Sequence, residues 1–150
     1  MKSIFDAAAR AELTQRIGRI SDTDKAIWGK MNVYQMLLHN AYWNAWILGK
    51  GDFNYRQEFL GKIFGKMALR KMIKDDKPLD KNVPTSSQFK PASQTCDLEA
   101  EKANWISLTE AYETYENPAF IHDFFGSMSR EEIGILAYKH SDHHLRQFGL

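Results

Sequence analysis

Cysteine occurs once in the 150 residues, at Cys96, so no internal disulfide can form and stability has to come from an ordinary packed core. Cys96 itself reads as a small side chain near a helix start, not as a nucleophile. Proline is scarce too, and three of the four prolines (Pro78, Pro84 and Pro91) fall in one stretch, leaving long flanking segments free to be helical. No apolar run reaches the length of a membrane span. The opening Met1-Lys2-Ser3-Ile4-Phe5-Asp6 brings charge in too early for a secretory leader, and the chain reads as cytoplasmic. A formal net charge of +1 leaves no global excess of either sign, which argues against a general binder of nucleic acid or of anionic membranes. Useful stretches of alternating polarity are missing as well, so no sheet is expected. Neither a repeat nor a low-complexity tract divides the chain. The expected organisation is one domain over residues 1–150, large enough to bury a substantial core.

What the chain has is helical periodicity. Ser3 to Ile20 carries Phe5, Ala9, Leu13, Ile17 and Ile20 at helical spacing, with Arg10, Glu12, Arg16 and Arg19 between them. A second helix runs from about Asn32 to Gly49, where Gly49-Lys50-Gly51-Asp52 supplies turn chemistry. Its inward stripe is Asn32, Gln35/Met36, His39, Tyr42/Trp43 and Trp46. Asp97 to Glu116 forms another helix, with Leu98, Trp105, Leu108 and Tyr112 inward and Asn117-Pro118 as its stop. Ser129 and Glu132 make a capping box that opens the last helix. These segments predict an all-α fold, a four-helix bundle with a short extra helix in the crossover between the second and third.

The crossover has two parts. Arg56 to Asp76 is helical, with six basic residues against three acidic ones. Lys62, Lys66, Arg70 and Lys74 form one i,i+4 row, and Leu60, Ile63, Phe64 and Met67 supply an apolar side. This segment could meet phosphate groups or anionic lipid. The preferred reading is a solvated face beside the acidic helix 97–116, which carries six acids and only Lys102 opposing them. Residues 78–91 have no period and read as an extended connection across the molecule.

The histidines carry the chemistry. His140 and His144 are four residues apart and project from one face of the last helix, on the extension of the stripe Ile133, Leu136, Ala137. Two imidazoles at that spacing can share one metal ion. Alone, an inward His39 on the second helix would read as a hydrogen-bonded core residue. With the pair on a facing helix, His39, His140 and His144 become a three-imidazole set suited to an open zinc, nickel or similar divalent site. His143 lies about 60° round the helix from His140, and supports the ligands or stays at the surface. Gln147 is placed to hydrogen-bond a ligand ring or a substrate, or to end the helix at the surface. Tyr42, Trp43 and Trp46 could line an apolar cavity beside the metal or simply pack the core. His122 is a loop residue with surface placement as the default and the pocket as the alternative. No carboxylate falls on the inward faces near the histidines, so no general base is named.

Met36-Leu37-Leu38-His39-Asn40, with Tyr138-Lys139-His140-Ser141-Asp142-His143-His144-Leu145-Arg146-Gln147-Phe148-Gly149, resembles the DinB-like (YfiT-type) metalloenzyme superfamily. More narrowly it resembles a subfamily of unknown function that ends in His-His-Leu-Arg-Gln-Phe-Gly. Ser3-Ile4-Phe5-Asp6, Trp28-Gly29-Lys30-Met31, Asn82-Val83-Pro84-Thr85 and His122-Asp123-Phe124-Phe125-Gly126 extend the likeness over nearly the whole chain. Where that family often has His-Pro, this chain has His122-Asp123, and Ile133 stands where Trp is common. The resemblance implies helices in up-down-down-up order and a divalent metal on His39, His140 and His144. It also implies a thiol-dependent transferase as one activity, with a low-molecular-weight thiol as cosubstrate.

The functional expectation is a metal-dependent enzyme, a transferase or hydrolase, acting on a small electrophilic molecule with the ion as Lewis acid. A homodimer is compatible with the sequence, and neither nucleic acid nor membrane is expected as a partner. The alternatives are a non-catalytic bundle whose metal bridges helices and, more weakly, a nucleic-acid or membrane binder acting through residues 56–76.

Overall fold

The computed structural model describes residues 1–83 and 86–150, Ser87 by its backbone alone. Pro84 and Thr85, part of the Asn82-Val83-Pro84-Thr85 motif, lie outside the described residues. Five α-helices form: α1 (Ala7–Gly18), α2 (Val33–Leu48), α3 (Phe59–Ile73), α4 (Leu98–Glu110) and α5 (Arg130–Gln147). Two 3-10 turns, Ser87–Phe89 and Ala111–Thr114, complete the secondary structure, with no strand among the described residues. No described helix is long and apolar enough to cross a membrane.

The helix ends follow local chemistry. The Asn32 side chain accepts from the Gln35 amide while the Gln35 side chain accepts from the Asn32 amide, a reciprocal cap that starts α2. Gly49 ends α2 in the left-handed region at φ 70°, where a side chain would be strained. Ser129 and Glu132 cap α5 in the same reciprocal way as α2. The first helix begins later than its periodicity suggests, because Ser3 to Asp6 closes a turn through Asp6 N–H to Ser3 O. Buried Arg10 donates to the carbonyls of Ile4 and Phe5 and meets Glu110 at 3.5 Å, tying that turn to the end of α4. The acidic helix is likewise shorter than expected, since 111–114 tightens to 3-10 before Pro118.

α1 packs against α4 and α5, and α2 packs against the same two, so these four helices close a ring around the core. Leu13, Ile17, Met36, Leu37, Ile47, Trp105 and Leu145 are fully buried inside it. Each such side chain contributes about 1.5–3 kcal/mol by leaving water. At the far end, Arg16 joins Asp142 at 2.8 Å and the Leu150 carbonyl at 3.0 Å, fastening the tail of α5 to α1.

α3 lies outside this ring, against α5. It is 15 residues long, longer than α1 with 12. The expectation of a short crossover helix is thus corrected, and so is that of an acidic neighbour for α3. Its inward face is Gly61, Gly65 and Leu69, whereas Phe59, Leu60, Ile63, Phe64 and Met67 are exposed. The reason is a close approach to the loop 122–126. A Cβ on Gly61 or Gly65 would stand 2.3 or 2.1 Å from the Phe124 carbonyl oxygen, so only glycine lets the helix come this near. The acidic helix is also not its main neighbour, and among its acids Glu110 and Glu113 meet Arg10 while Glu99 meets Lys102. Lys139 of α5 holds the C-terminal end of α3, donating to the carbonyls of Met72, Asp75 and Lys77 at 2.8, 2.6 and 2.9 Å.

Candidate metal centre

His39 comes from the second turn of α2, and His140 and His144 from the last turns of α5. The two helices pack together, so the three imidazoles converge. Ring centroids are 5.1 Å apart for His39–His140 and 4.7 Å apart for His39–His144 and for His140–His144. One nitrogen of each lies within 4.8 Å of the others, a grouping that could hold a metal ion. His39 and His144 are buried, and His140 is covered by Trp43, which stacks on it at 3.9 Å and 11°.

Hydrogen bonds behind the rings fix which nitrogen faces the group. The Nδ1 of His39 lies 2.8 Å from the Phe89 carbonyl, which can only accept, so the proton is on Nδ1 and the lone pair on Nε2. His144 Nδ1 lies 2.9 Å from the side-chain oxygen of Gln147, with the same consequence. Gln147 is itself held, its amide donating to the Trp28 carbonyl at 2.8 Å. The Nε2 atoms of His39 and His140 stand 3.1 Å apart, and buried Nδ1 of His140 has no hydrogen-bond partner among the described residues. Either His140 gives its proton to His39 and orphans Nδ1, or two lone pairs face one another. Burial pushes His140 and His144 well below the ordinary imidazole value, and His39 below it, so a proton does not relieve the conflict at neutral pH. Three neutral imidazoles with converging lone pairs fit a divalent cation.

The group opens on a cavity of about 480 Å3 whose walls are mainly apolar, among them Trp43, Met72, Phe89, Phe125 and Leu136. His122 lines it, buried, although its loop position made the surface the default. Its Nδ1 is 2.8 Å from Asp123 Oδ1, and Gln88 donates to the other carboxylate oxygen at 2.8 Å. Burial pushes the Asp123 carboxyl up, but hydrogen bonds from His122, Gln88 and Ser86 outweigh it and hold the group below its ordinary value. The same His122 Nδ1 accepts from the backbone amides of Phe124 and Phe125 at 3.1 and 3.3 Å. Asp123 and Glu58 both line the cavity, so carboxylates do reach it, from outside the inward helical stripes.

The other expected residues divide. His143 is half-buried on the cavity wall, edge-on to Trp28 at 5.7 Å, and does not hydrogen-bond the three rings. Trp46 is buried two turns beyond His39, about 10 Å along the helix, covered by Phe89 and His122 and behind the cavity wall. Tyr42 is 45 % exposed and packs on Phe53 and Phe89, off the cavity, because it lies about 60° from His39 toward solvent. Cys96 is half-buried with its thiol pushed up by burial, which suits an inert side chain. Sequence reasoning missed Phe89, Gln88 and Asp123. The one available signal was an aromatic residue amid the polar stretch 85–90.

No curated protein and no solved structure matches the chain. A family model described as protein of unknown function (DUF1569) matches residues 55–149, more than half of the chain. The match takes in α3 to α5, with His122, His140 and His144, while His39 lies before it and enters the group by geometry alone. The chain thus belongs to the DUF1569 family of proteins of unknown function, within the DinB/YfiT-like superfamily.

Proposed function

We propose that the protein is a divalent-metal-dependent enzyme, with His39, His140 and His144 as the ligands and zinc or nickel as the metal. The observation that carries the reading is the convergence of the three imidazoles, with the Nδ1 atoms of His39 and His144 each held against an acceptor oxygen so that their Nε2 atoms are left for an ion. Such a metal supplies Lewis acidity, polarising a substrate atom or activating a nucleophile beside it. The chain's own residues do the rest. Trp43 fixes the plane of His140, Phe89 and Gln147 fix the other two rings, and the apolar wall excludes water around a small substrate. His122, held at Nδ1 by the Phe124 and Phe125 amides and close to Asp123, stands on the cavity wall within the space a substrate would fill.

The reaction class that suits an apolar cavity beside neutral imidazoles is attack by a thiol or water on a small electrophile, as a transferase or a hydrolase. An ion that only braced two helices would have no use for a cavity of this size, which favours the catalytic reading over the structural one. The test is metal analysis of the purified protein beside His39→Ala and His140→Ala/His144→Ala. Near-stoichiometric zinc or nickel in the parent, lost from both variants, is expected. Failure of the parent to take up either ion after reconstitution would overturn the site and the enzyme together. With the metal established, turnover of an electrophile that depends on added thiol separates transferase from hydrolase.

A further inference from the structure

The outer face of α3 has no partner within the chain. Phe59, Leu60, Ile63, Phe64 and Met67 are 75, 59, 57, 47 and 66 % exposed. At positions i, i+1, i+4, i+5 and i+8 they form one continuous strip on the side away from Gly61, Gly65 and Leu69. Soluble surfaces seldom carry so many large apolar side chains together without a use. Around and beyond the strip stand Lys62, Lys66, Arg70, Lys71 and Lys74, all exposed, and no acid occurs from Phe59 to Lys74. Among the described residues Lys71 alone of the five makes an ion pair, with exposed Asp80. Lys66 donates to the Ser127 carbonyl, which leaves its charge uncompensated.

We propose that α3 is a docking helix for the surface of an anionic phospholipid bilayer. The near-neutral net charge, which argued against membranes, averages away a local excess that one helix carries. Apolar side chains flanked by lysine and arginine match the two layers of a bilayer surface, acyl chains below and anionic headgroups above. A phosphate backbone would satisfy the cations and leave the five apolar side chains in water. A second copy of the same face would cover the apolar strip but bring its own five cations against five more. The helix is rigidly mounted for this role, with Lys139 at its C-terminal end and its two glycines against the Phe124 backbone. Its inner side gives Ala68 and Met72 to the histidine cavity, so docking sets that cavity about one helix diameter, roughly 10 Å, from the lipid.

The experiment is co-sedimentation of the full chain with phosphatidylcholine vesicles, with and without phosphatidylserine, at low and high salt. Two variants accompany it, Lys62→Gln/Lys66→Gln/Arg70→Gln and Ile63→Ser/Met67→Ser, whose positions are exposed and leave the core intact; circular dichroism checks their helicity. The parent is expected to partition onto the phosphatidylserine vesicles, with a loss of about tenfold or more in each variant and at high salt. A parent that stays in the supernatant, or that binds both vesicle types equally, overturns the proposal. So does binding that neither variant reduces. Self-association abolished by Ile63→Ser/Met67→Ser, without vesicle binding, would assign the face to a second copy instead.

Discussion

His144 donates through Nδ1 to the side-chain oxygen of Gln147, 2.9 Å away and one turn further along the same helix. That bond selects the tautomer of one ring and thereby the direction of its lone pair. A carboxamide held at its other end by the Trp28 carbonyl cannot easily turn away. Gln147→Met keeps the length and the packing but removes the acceptor. Affinity for zinc, read by competition with a chromophoric chelator, is expected to fall about 10- to 100-fold. An unchanged affinity would mean that Gln147 does not orient the ring.

Gly65→Ala tests the mounting of α3. The new methyl would lie 2.1 Å from a backbone oxygen, so either the helix or the loop has to move. A destabilisation of about 2 kcal/mol or more is expected in urea denaturation. Gly18→Ala near the end of α1 meets nothing within 4 Å, and is expected to stabilise by about 0.5–1 kcal/mol. Equal effects of the two would remove the close approach as an explanation.

Lys139→Met removes the donor that three carbonyls at the end of α3 share. Loss of these bonds is expected to cost about 2 kcal/mol and to hasten proteolysis around residues 72–77. An unaltered urea midpoint together with unaltered cleavage would show the contact to be dispensable.

Alkaline pH should unfold the bundle from the α1–α4 side. Burial, with the neighbouring Tyr115, pushes the Tyr112 phenol well above 10.0, and burial pushes Tyr115 up to about 12. A folded value above the unfolded one means that the stabilisation is complete below pH 10 and is lost as pH rises toward the folded values. For fully buried Tyr112 the slope approaches about 1.4 kcal/mol per pH unit. The check is urea denaturation at pH 9 to 11, with phenolate absorbance recorded in parallel. Ionisation of both residues while the protein stays folded would contradict it.

The parts legible in the sequence were those written in local pattern. Ser129 and Glu132 marked the start of α5, Asn32 and Gly49 bounded α2, and periodicity alone placed His39, His140 and His144 on faces that meet. The parts not legible depend on contacts between distant segments that have no period of their own. Phe89 lies 50 residues from the ring it orients, and Gln88 lies 35 residues from the carboxylate it holds. The apolar residues of α3 follow the spacing of a buried face, and only the fit of Gly61 and Gly65 to Phe124 decides that the other side turns inward.

The sequence distance between the three imidazoles has a consequence for how the proposed centre would assemble. His39 and His140 are 101 residues apart, so no short fragment of the chain can gather the set. The free energy of binding an ion there would be shared by the whole fold. At a hundredfold excess of ion over its dissociation constant, occupancy would add about 2.7 kcal/mol to the stability of every helix at once. In the other direction, destabilisation anywhere in the bundle large enough to populate open chains would register as weaker apparent metal affinity, even when the substituted residue is remote from the imidazoles. Affinity for such an ion would be a gauge of foldedness.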